Sequence, residues 1–98
     1  MTLPIELRLE AVADVDAAYA WYEKQRAGLG EEFLSAFLEK LDLICDNPEA
    51  WALLFRKIRA CTMERFPYVI YFRNLSDRVD IVAVQHGSRH PRNWRRRA

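Results

Sequence analysis

The chain has 98 residues, of which 51% are hydrophobic and 30% are charged. This balance excludes an intrinsically disordered chain and is typical of one small globular domain. No apolar run approaches the roughly 20 residues of a membrane-spanning helix. The first six residues lack the basic and then apolar layout of a signal peptide. We therefore expect a single soluble domain, residues 1–98, in the cytoplasm, with a small core and marginal stability when alone.

Charge divides the chain into two halves of opposite sign. Residues 1–50 carry 11 acidic and 4 basic side chains, whereas residues 51–98 carry 3 acidic and 11 basic ones. No acidic residue follows Asp80, and the basic tail, residues 87–98, holds five arginines. Either the basic half meets an anionic partner, or acidic helices lie on a basic sheet and pair with it. The second explanation suits the tail less well, because no acidic residue neighbours it in the sequence.

The first half of the chain predicts a strand and two helices. From Pro4 to Leu9 apolar and charged side chains alternate, as in a strand with one solvated face. From Ala11 to Gln25 apolar residues recur at steps of three and four, which predicts a helix that ends in the Gly-rich segment 27–30. A second helix is predicted from about Glu31 to Asp46, stopped by Asn47-Pro48. The short link makes the two helices an antiparallel hairpin.

The second half predicts an antiparallel meander. Residues 49–57 show no clean period, and we interpret them as a loop anchored by Trp51 and Phe55. Three strand-like runs follow, at Ile58–Arg65, Tyr68–Arg73 and Arg78–His86. Their short links make them antiparallel neighbours. The predicted fold is α+β, with both helices packed on one face of a twisted sheet and the other face left open as a binding surface.

Two pairs of residues bear on metal and redox chemistry. Cys45 and Cys61 lie in apolar stretches and are expected to be buried thiols, with a disulfide as the alternative. His86 and His90 have a possible ligand spacing, but a Gly and a Pro flank them and no close cysteine pair exists. The sequence also lacks a phosphate-binding glycine loop, a catalytic triad and a dinucleotide motif. We expect no metal and no cofactor.

Several short motifs follow one another in a recognisable order. They are Ala13-Asp14-Val-Asp16, Trp21-Tyr22-Glu23, Gly28-Leu29-Gly30-Glu-Glu-Phe33, Asn47-Pro48, Arg65-Phe66-Pro67-Tyr68-Val-Ile70-Tyr71 and Val84-Gln-His86-Gly-Ser-Arg89-His-Pro91. Together they resemble the RelE/ParE toxin superfamily, on its ParE-like plasmid-stabilisation branch. The resemblance covers nearly the whole chain, and it implies the same strand, helical hairpin and meander.

The resemblance implies the toxin of a type II toxin–antitoxin system, held by a cognate antitoxin in a hetero-oligomer. RelE-type members of the superfamily cut messenger RNA on the ribosome, whereas ParE-type members are associated with inhibition of DNA gyrase and are not nucleases. We expect a non-enzymatic toxin that binds a bacterial target such as gyrase. The alternatives are a ribosome-dependent messenger RNA endonuclease and an inactive remnant that only binds its antitoxin.

An endonuclease would need an acid/base pair and cations for the extra phosphate charge. His86, at the end of the last strand, and Glu64, the only carboxylate of the run Ile58–Arg65, are the candidates for that pair. Each has a structural alternative: His86 would bond the backbone of the tail, and Glu64 would be a surface charge. We favour the structural roles.

The candidate binding residues for a target or an antitoxin are basic or aromatic: Arg59, Arg65, Arg73, Arg89, Arg92 and Trp94. Guanidinium groups suit phosphate through paired donors, and they suit an acidic antitoxin segment equally well. Trp94 either stacks on a partner or anchors the tail to the core. Trp21 and the helix tyrosines are expected in the core. An aromatic ring left on the outer helix face would instead mark a docking point for the antitoxin.

Overall fold

The computed structural model describes residues 3–98, so Met1 and Thr2 of the predicted domain lie outside the described residues. The described elements are β1 (Ile5–Leu7), α1 (Leu9–Gln25), α2 (Leu29–Asp46), β2 (Ala52–Phe55), β3 (Ile58–Thr62), β4 (Tyr68–Asn74), β5 (Val79–His86) and α3 (Arg92–Arg95), with one 3₁₀ turn at Pro48–Ala50. The α+β class and the order of strand, helical hairpin and meander are confirmed. No helix among residues 3–98 is long and apolar enough to span a membrane.

The strands form one sheet in the order β1-β5-β4-β3-β2. Strands β2 to β5 pair antiparallel with their neighbours in the chain. Strand β1 instead runs parallel to β5, with Ile5 opposite Val79 and Leu7 opposite Ile81. A parallel pair needs a long crossover, and the helical hairpin supplies it. The first and last strands of the chain are therefore neighbours.

Helices α1 and α2 cover one face of the sheet and enclose the main core. Four aromatic rings meet near the start of β4, with ring centroids 4.9 to 5.4 Å apart along their closest contacts: Tyr22, Phe33, Phe66 and Tyr68. Cys45 and Cys61 are buried free thiols, as expected, and burial raises the pKa of both.

A bulge in β5 places two consecutive residues, Val82 and Ala83, on the same face of the sheet. Phe72 lies opposite Ile81 and Tyr71 lies opposite Ala83, which leaves Val82 as the extra residue. Ile81 and Val84 then belong to the helix-side core, whereas Val82 and Ala83 belong to a second core on the other face.

The tail closes the second core. Trp94 of α3 is 4% exposed and stacks on Tyr71, with ring centroids 4.6 Å apart and an interplanar angle of 16°. The prediction of an open second face is therefore wrong where α3 packs. Trp94 anchors the tail because its ring adds apolar area to a sheet face that no other helix of residues 3–98 covers.

Two predicted boundaries are also wrong. Leu9 is the first residue of α1 and is 86% exposed, because the alternation of the strand ends where the helix begins. Residues 49–57 contain β2 and a tight turn rather than a loop, and β2 pairs with β3 through Leu53 and Arg59. The turn residues are Arg56 and Lys57, whose φ angles are 47° and 68°. Turns with two positive φ angles normally carry Asn or Gly, so this pair hides the hairpin from sequence reading.

Candidate partner-binding surfaces

A cleft of about 640 Å³ lies between α1, the start of β4 and the end of β5, and we call it the His86 groove. It is open to solvent and combines apolar walls with polar ends. Its lining comprises Asp14, Ala17, Ala18, Trp21, Tyr22, Pro67, Tyr68, Val84, Gln85, His86 and Arg89. Such a mixture of apolar area with a few convergent polar groups is typical of a binding site.

Trp21 stands on the wall of this groove and is 57% exposed. The prediction that Trp21 belongs to the core is wrong, whereas its neighbour Tyr22 is buried against Phe33 and Phe66. Trp21 meets Tyr22 edge to face, with centroids 5.2 Å apart, which holds the indole in place beside the groove. Trp21 is thus an aromatic residue of α1 that stays exposed beside the groove.

Gln85 is also part of the groove lining, and it is a buried polar residue whose side-chain oxygen lacks a hydrogen-bond donor among residues 3–98. The residue is 3% exposed, and its side-chain Oε1 has no hydrogen-bond partner among residues 3–98. A buried amide oxygen without a donor is costly, and most such atoms in proteins find a partner. Strand alternation places this side chain on the sheet face of its register partner Val69, away from the side chains of Val84 and His86.

The edge of β5 beside the groove is capped by side chains. Strand β1 pairs with β5 only as far as Ile81, so the next backbone groups on that edge have no strand beside them among residues 3–98. Asp14 Oδ2 accepts a hydrogen bond from Val84 N at 2.9 Å, and Arg97 Nη1 donates to Val82 O at 3.3 Å. Asp14 and Arg97 are themselves an ion pair with N–O distances of 2.6 and 3.2 Å.

A second ion pair joins this cap to the start of the chain. Arg8 donates to the buried Asp80 through Nη2 at 2.8 Å and also through Nε, and its Nη1 donates to Arg97 O. One tail residue, Arg97, thus connects α1, β5 and the residue before α1. The tail is held by internal carboxylates at this point, which favours the explanation by internal charge pairing for Arg97.

The structure does not bring His86 and Glu64 together. His86 is exposed, and its Nδ1 lies 3.1 Å from Ser88 N and 2.8 Å from Ser88 Oγ, so it bonds the start of the tail. Glu64 accepts from Lys40 Nζ at 3.1 Å and lines a different cleft of about 520 Å³ along α2, which we call the α2 groove. His86 thus contacts the tail backbone, and Glu64 is an exposed carboxylate on the other groove.

Two of the predicted arginines lie on the helix side of the sheet and are paired there. Arg65 donates to Glu32 of α2, and its guanidinium lies 5.1 Å from the centre of the Phe66 ring. Hydrogen bonds from Arg65 and then Arg26 hold the pKa of Glu32 below its usual value. Arg59 Nη1 donates to Trp51 O at 2.8 Å, where it ties β3 to the segment before β2.

The other predicted binding residues are dispersed. Arg73 lies on the second face, in register with Asp80, and its Nε is buried without a partner among residues 3–98. Arg89 lines the His86 groove. Arg92 begins α3 and is exposed, two residues before the buried Trp94. The six residues therefore do not form one site, and only Arg89 joins His86 in a groove.

Comparison with known proteins agrees with this fold. Residues 5–91 match the family described as the ParE toxin of the type II toxin–antitoxin system parDE. Toxin ParE2 of Mycobacterium tuberculosis, from strains CDC 1551 / Oshkosh and ATCC 25618 / H37Rv, is 27% identical over 79 residues, which cover 80% of this chain and 75% of the relative. A chain of the chromosomal ParDE TA system from P. aeruginosa superposes with a TM-score of 0.77 at 19% identity, over 87% of this chain and 96% of the other.

The strand, helical hairpin and antiparallel meander are thus the fold of a toxin of the RelE/ParE superfamily. The family match spans nearly the whole chain, and the chain belongs to the family of ParE toxins of type II toxin–antitoxin systems.

Proposed function

We propose that this chain is a toxin that a cognate antitoxin neutralises, and that the free toxin arrests growth by binding a bacterial target, DNA gyrase, without catalysis. Membership of the ParE family supports the toxin role. The similar structure from P. aeruginosa is of a ParDE system, which supports a protein partner for this chain as well.

The choice of binding over cleavage rests on the separation of the two candidate acid/base groups, His86 and Glu64. Within residues 3–98 the side chain of His86 hydrogen-bonds only with Ser88, and no carboxylate contacts it. Glu64 is paired with Lys40 in the α2 groove. General acid–base cleavage needs both groups at the same phosphodiester, and this arrangement does not provide them.

The His86 groove is the surface that we assign to the antitoxin. Its exposed Trp21 offers apolar area to the partner. Arg89, at the polar end of the groove, suits an acidic residue of the antitoxin. An antitoxin helix or extended segment that fills the cleft would bury both Trp21 and Arg89.

A second candidate function is the messenger RNA endonuclease, and one observation favours it. His86, Arg89 and Tyr68 line the same groove, so an imidazole, a guanidinium and a phenol are available together. Burial raises the pKa of Tyr68 above its usual value, which makes the phenol a poor proton donor at neutral pH. The endonuclease therefore remains second.

The growth of cells that express each variant distinguishes the non-enzymatic binding toxin from the messenger RNA endonuclease. His86→Ala should retain growth inhibition, with Ser88→Ala as the matched control that removes the other half of the same hydrogen bond. Ribosome-bound message should stay intact with the parent protein. Loss of toxicity in a well-folded His86→Ala variant, together with message cleavage by the parent, would replace the binding toxin by the endonuclease.

A further inference from the structure

The tight turn between β2 and β3 presents two cations at a conformational cost. Arg56 and Lys57 both have positive φ, which side chains with a Cβ rarely adopt. Neither is a glycine or an asparagine, the residues that such turns normally carry. A strained turn of this kind is often kept for function, and here it projects two basic side chains from the end of the hairpin.

Next to this turn, an aromatic ring fixes two guanidinium groups. The Phe55 ring has Arg95 of α3 at 4.9 Å and Arg56 at 5.2 Å from its centre. Arg95 also lies 5.5 Å from the Trp94 ring. Stacking on a ring orders the guanidinium plane while the N–H groups at its edge stay available for an acceptor. Arg92 and Arg96 lie on the same short helix, as its first residue and its C-cap.

We call the group Arg56, Lys57, Arg92, Arg95 and Arg96 the basic face. Within residues 3–98 none of these five side chains has a carboxylate partner, whereas ion pairs occupy Arg8, Arg26, Arg65, Arg78 and Arg97. Five exposed cations without a counter-ion contribute little favourable electrostatic energy in the isolated chain, because water solvates them. They gain electrostatic energy mainly when an anionic surface approaches.

Most of the acidic residues lie on the helical hairpin, on the other side of the sheet. Helices α1 and α2 contain 9 acidic and 2 basic residues and cover the helix-side face of the sheet. Arg95 belongs to the helix that packs on the other face, around Trp94. A polyanion would be repelled by the helical hairpin and attracted to the basic face, so charge sets the orientation in which it approaches.

We propose that the basic face binds the phosphate backbone of double-stranded DNA. The inference rests on the proposed function for its context, since gyrase acts on duplex DNA. Duplex rather than single-stranded nucleic acid follows from the aromatic rings. Single strands bind through bases that stack on free rings. Here two guanidinium groups flank Phe55, and Trp94 is buried against Tyr71. The five cations of the basic face can still contact phosphates, and such contacts do not read the bases.

The alternative partner for this face is an acidic protein segment. Such a segment usually adds apolar anchors in a groove, and the two clefts described above contain none of the five residues of the basic face. The apolar groove and the cation cluster thus lie on different surfaces. We assign the groove to the antitoxin and the basic face to DNA.

Fluorescence anisotropy of a labelled duplex DNA, titrated with the full chain at several salt concentrations, tests the inference. The parent should bind, with an affinity that falls as salt rises by a slope of about 0.9 per phosphate contact. Replacing Arg56, Lys57 and Arg95 by Gln should lower that slope by roughly two to three, whereas the control Arg26→Gln, on the helix side, should leave it unchanged. Because Arg95 contacts two rings, Arg92→Gln with Arg96→Gln is a second variant that leaves those contacts intact.

Four results would overturn the inference: no duplex binding at low salt, the same slope for parent and folded variants, tighter binding of a single strand than of the duplex, or displacement of DNA by a polyglutamate peptide at equal charge. A supercoiling assay with gyrase, run in parallel, tests the proposed function separately. Duplex binding that depends on the basic face supports the inference even where gyrase is not inhibited.

Discussion

Asp14 of α1 and Arg97 of the tail form a two-pronged ion pair across 83 residues of sequence, with N–O distances of 2.6 and 3.2 Å. The side chains are 16% and 20% exposed. Each also bonds the backbone of β5, so the pair closes the strand edge where β1 ends. The tail is in this way part of the fold and not a free basic extension.

The first prediction concerns this pair. Asp14→Ala should lower the free energy of unfolding by about 2–4 kcal/mol, because it leaves the half-buried Arg97 and the amide of Val84 without their acceptor. Asp16→Ala, an exposed residue of the same helix, should stay within about 0.5 kcal/mol of the parent. Urea denaturation measures both variants. Equal unfolding midpoints for Asp14→Ala and the parent would show that the Asp14–Arg97 pair contributes nothing to stability.

The second prediction separates two tryptophans. Trp94→Ala should cost about 3–5 kcal/mol, because a ring that is 4% exposed leaves a cavity against Tyr71. Trp21→Ala, which removes a ring that is 57% exposed, should cost less than about 1 kcal/mol. Thermal melts followed by near-ultraviolet circular dichroism provide the comparison, and a stable Trp94→Ala variant would contradict the anchoring role.

Deleting residues 92–98 removes Trp94 and should therefore destabilise the fold. Point variants of the basic face are the sounder test of what the tail arginines do.

The third prediction tests the antitoxin surface. Trp21→Ala should weaken binding of the antitoxin by at least about 1.4 kcal/mol, which is tenfold, if the ring is an anchor of the interface. Leu38→Ala is the control, since Leu38 is similarly exposed on α2 but does not line the His86 groove. The protein encoded next to this gene is the ligand to use in isothermal titration. An unchanged affinity for Trp21→Ala would move the antitoxin to another surface.

The fourth prediction is a titration. The phenol of Tyr19 donates to Glu31 Oε1 at 2.5 Å, and this bond, with burial and the carboxylate charge, raises the pKa of Tyr19 to about 12. A tyrosine in the unfolded chain titrates near pH 10, at about its ordinary pKa. Because the pKa of the folded state is the higher one, the contribution to stability is complete below about pH 10 and is lost as the pH rises towards 12.

Nuclear magnetic resonance of the Tyr19 ring measures that titration directly. Glu31→Gln should lower the pKa of Tyr19 towards 10, because the amide removes the charge that opposes the phenolate. A Tyr19 pKa near 10 in the parent protein would show that the hydrogen bond with Glu31 does not form in solution.

Much of the fold was readable from the sequence because the helices and inner strands have clear periods. The heptad-like stripe of Phe33, Phe37, Leu41 and Ile44 predicts α2, and all four residues are buried. Strand β2 was missed because Arg56 and Lys57 occupy a turn that gives its usual signal through Asn or Gly. The parallel pairing of β1 with β5 was missed because alternation reports a strand without its neighbour.

The candidate surfaces were less predictable, because they depend on contacts between distant residues. The sequence indicates His86, Arg89 and Trp94 by residue type alone. The structure places His86 and Arg89 in one groove, whereas Trp94 is buried in the second core. The pairing of Asp14 with Arg97 and the stacking of Arg95 on Phe55 have no local signature.

A supercoiling assay is the direct test of the proposal that this toxin arrests growth by binding gyrase. Purified chain should block supercoiling of relaxed plasmid by gyrase, and prior addition of the protein encoded next to this gene should restore it. The His86→Ala variant should block supercoiling as the parent does. Full supercoiling activity at saturating folded toxin, with cleavage of ribosome-bound message in a parallel reaction, would rule out gyrase as the target and establish the endonuclease instead.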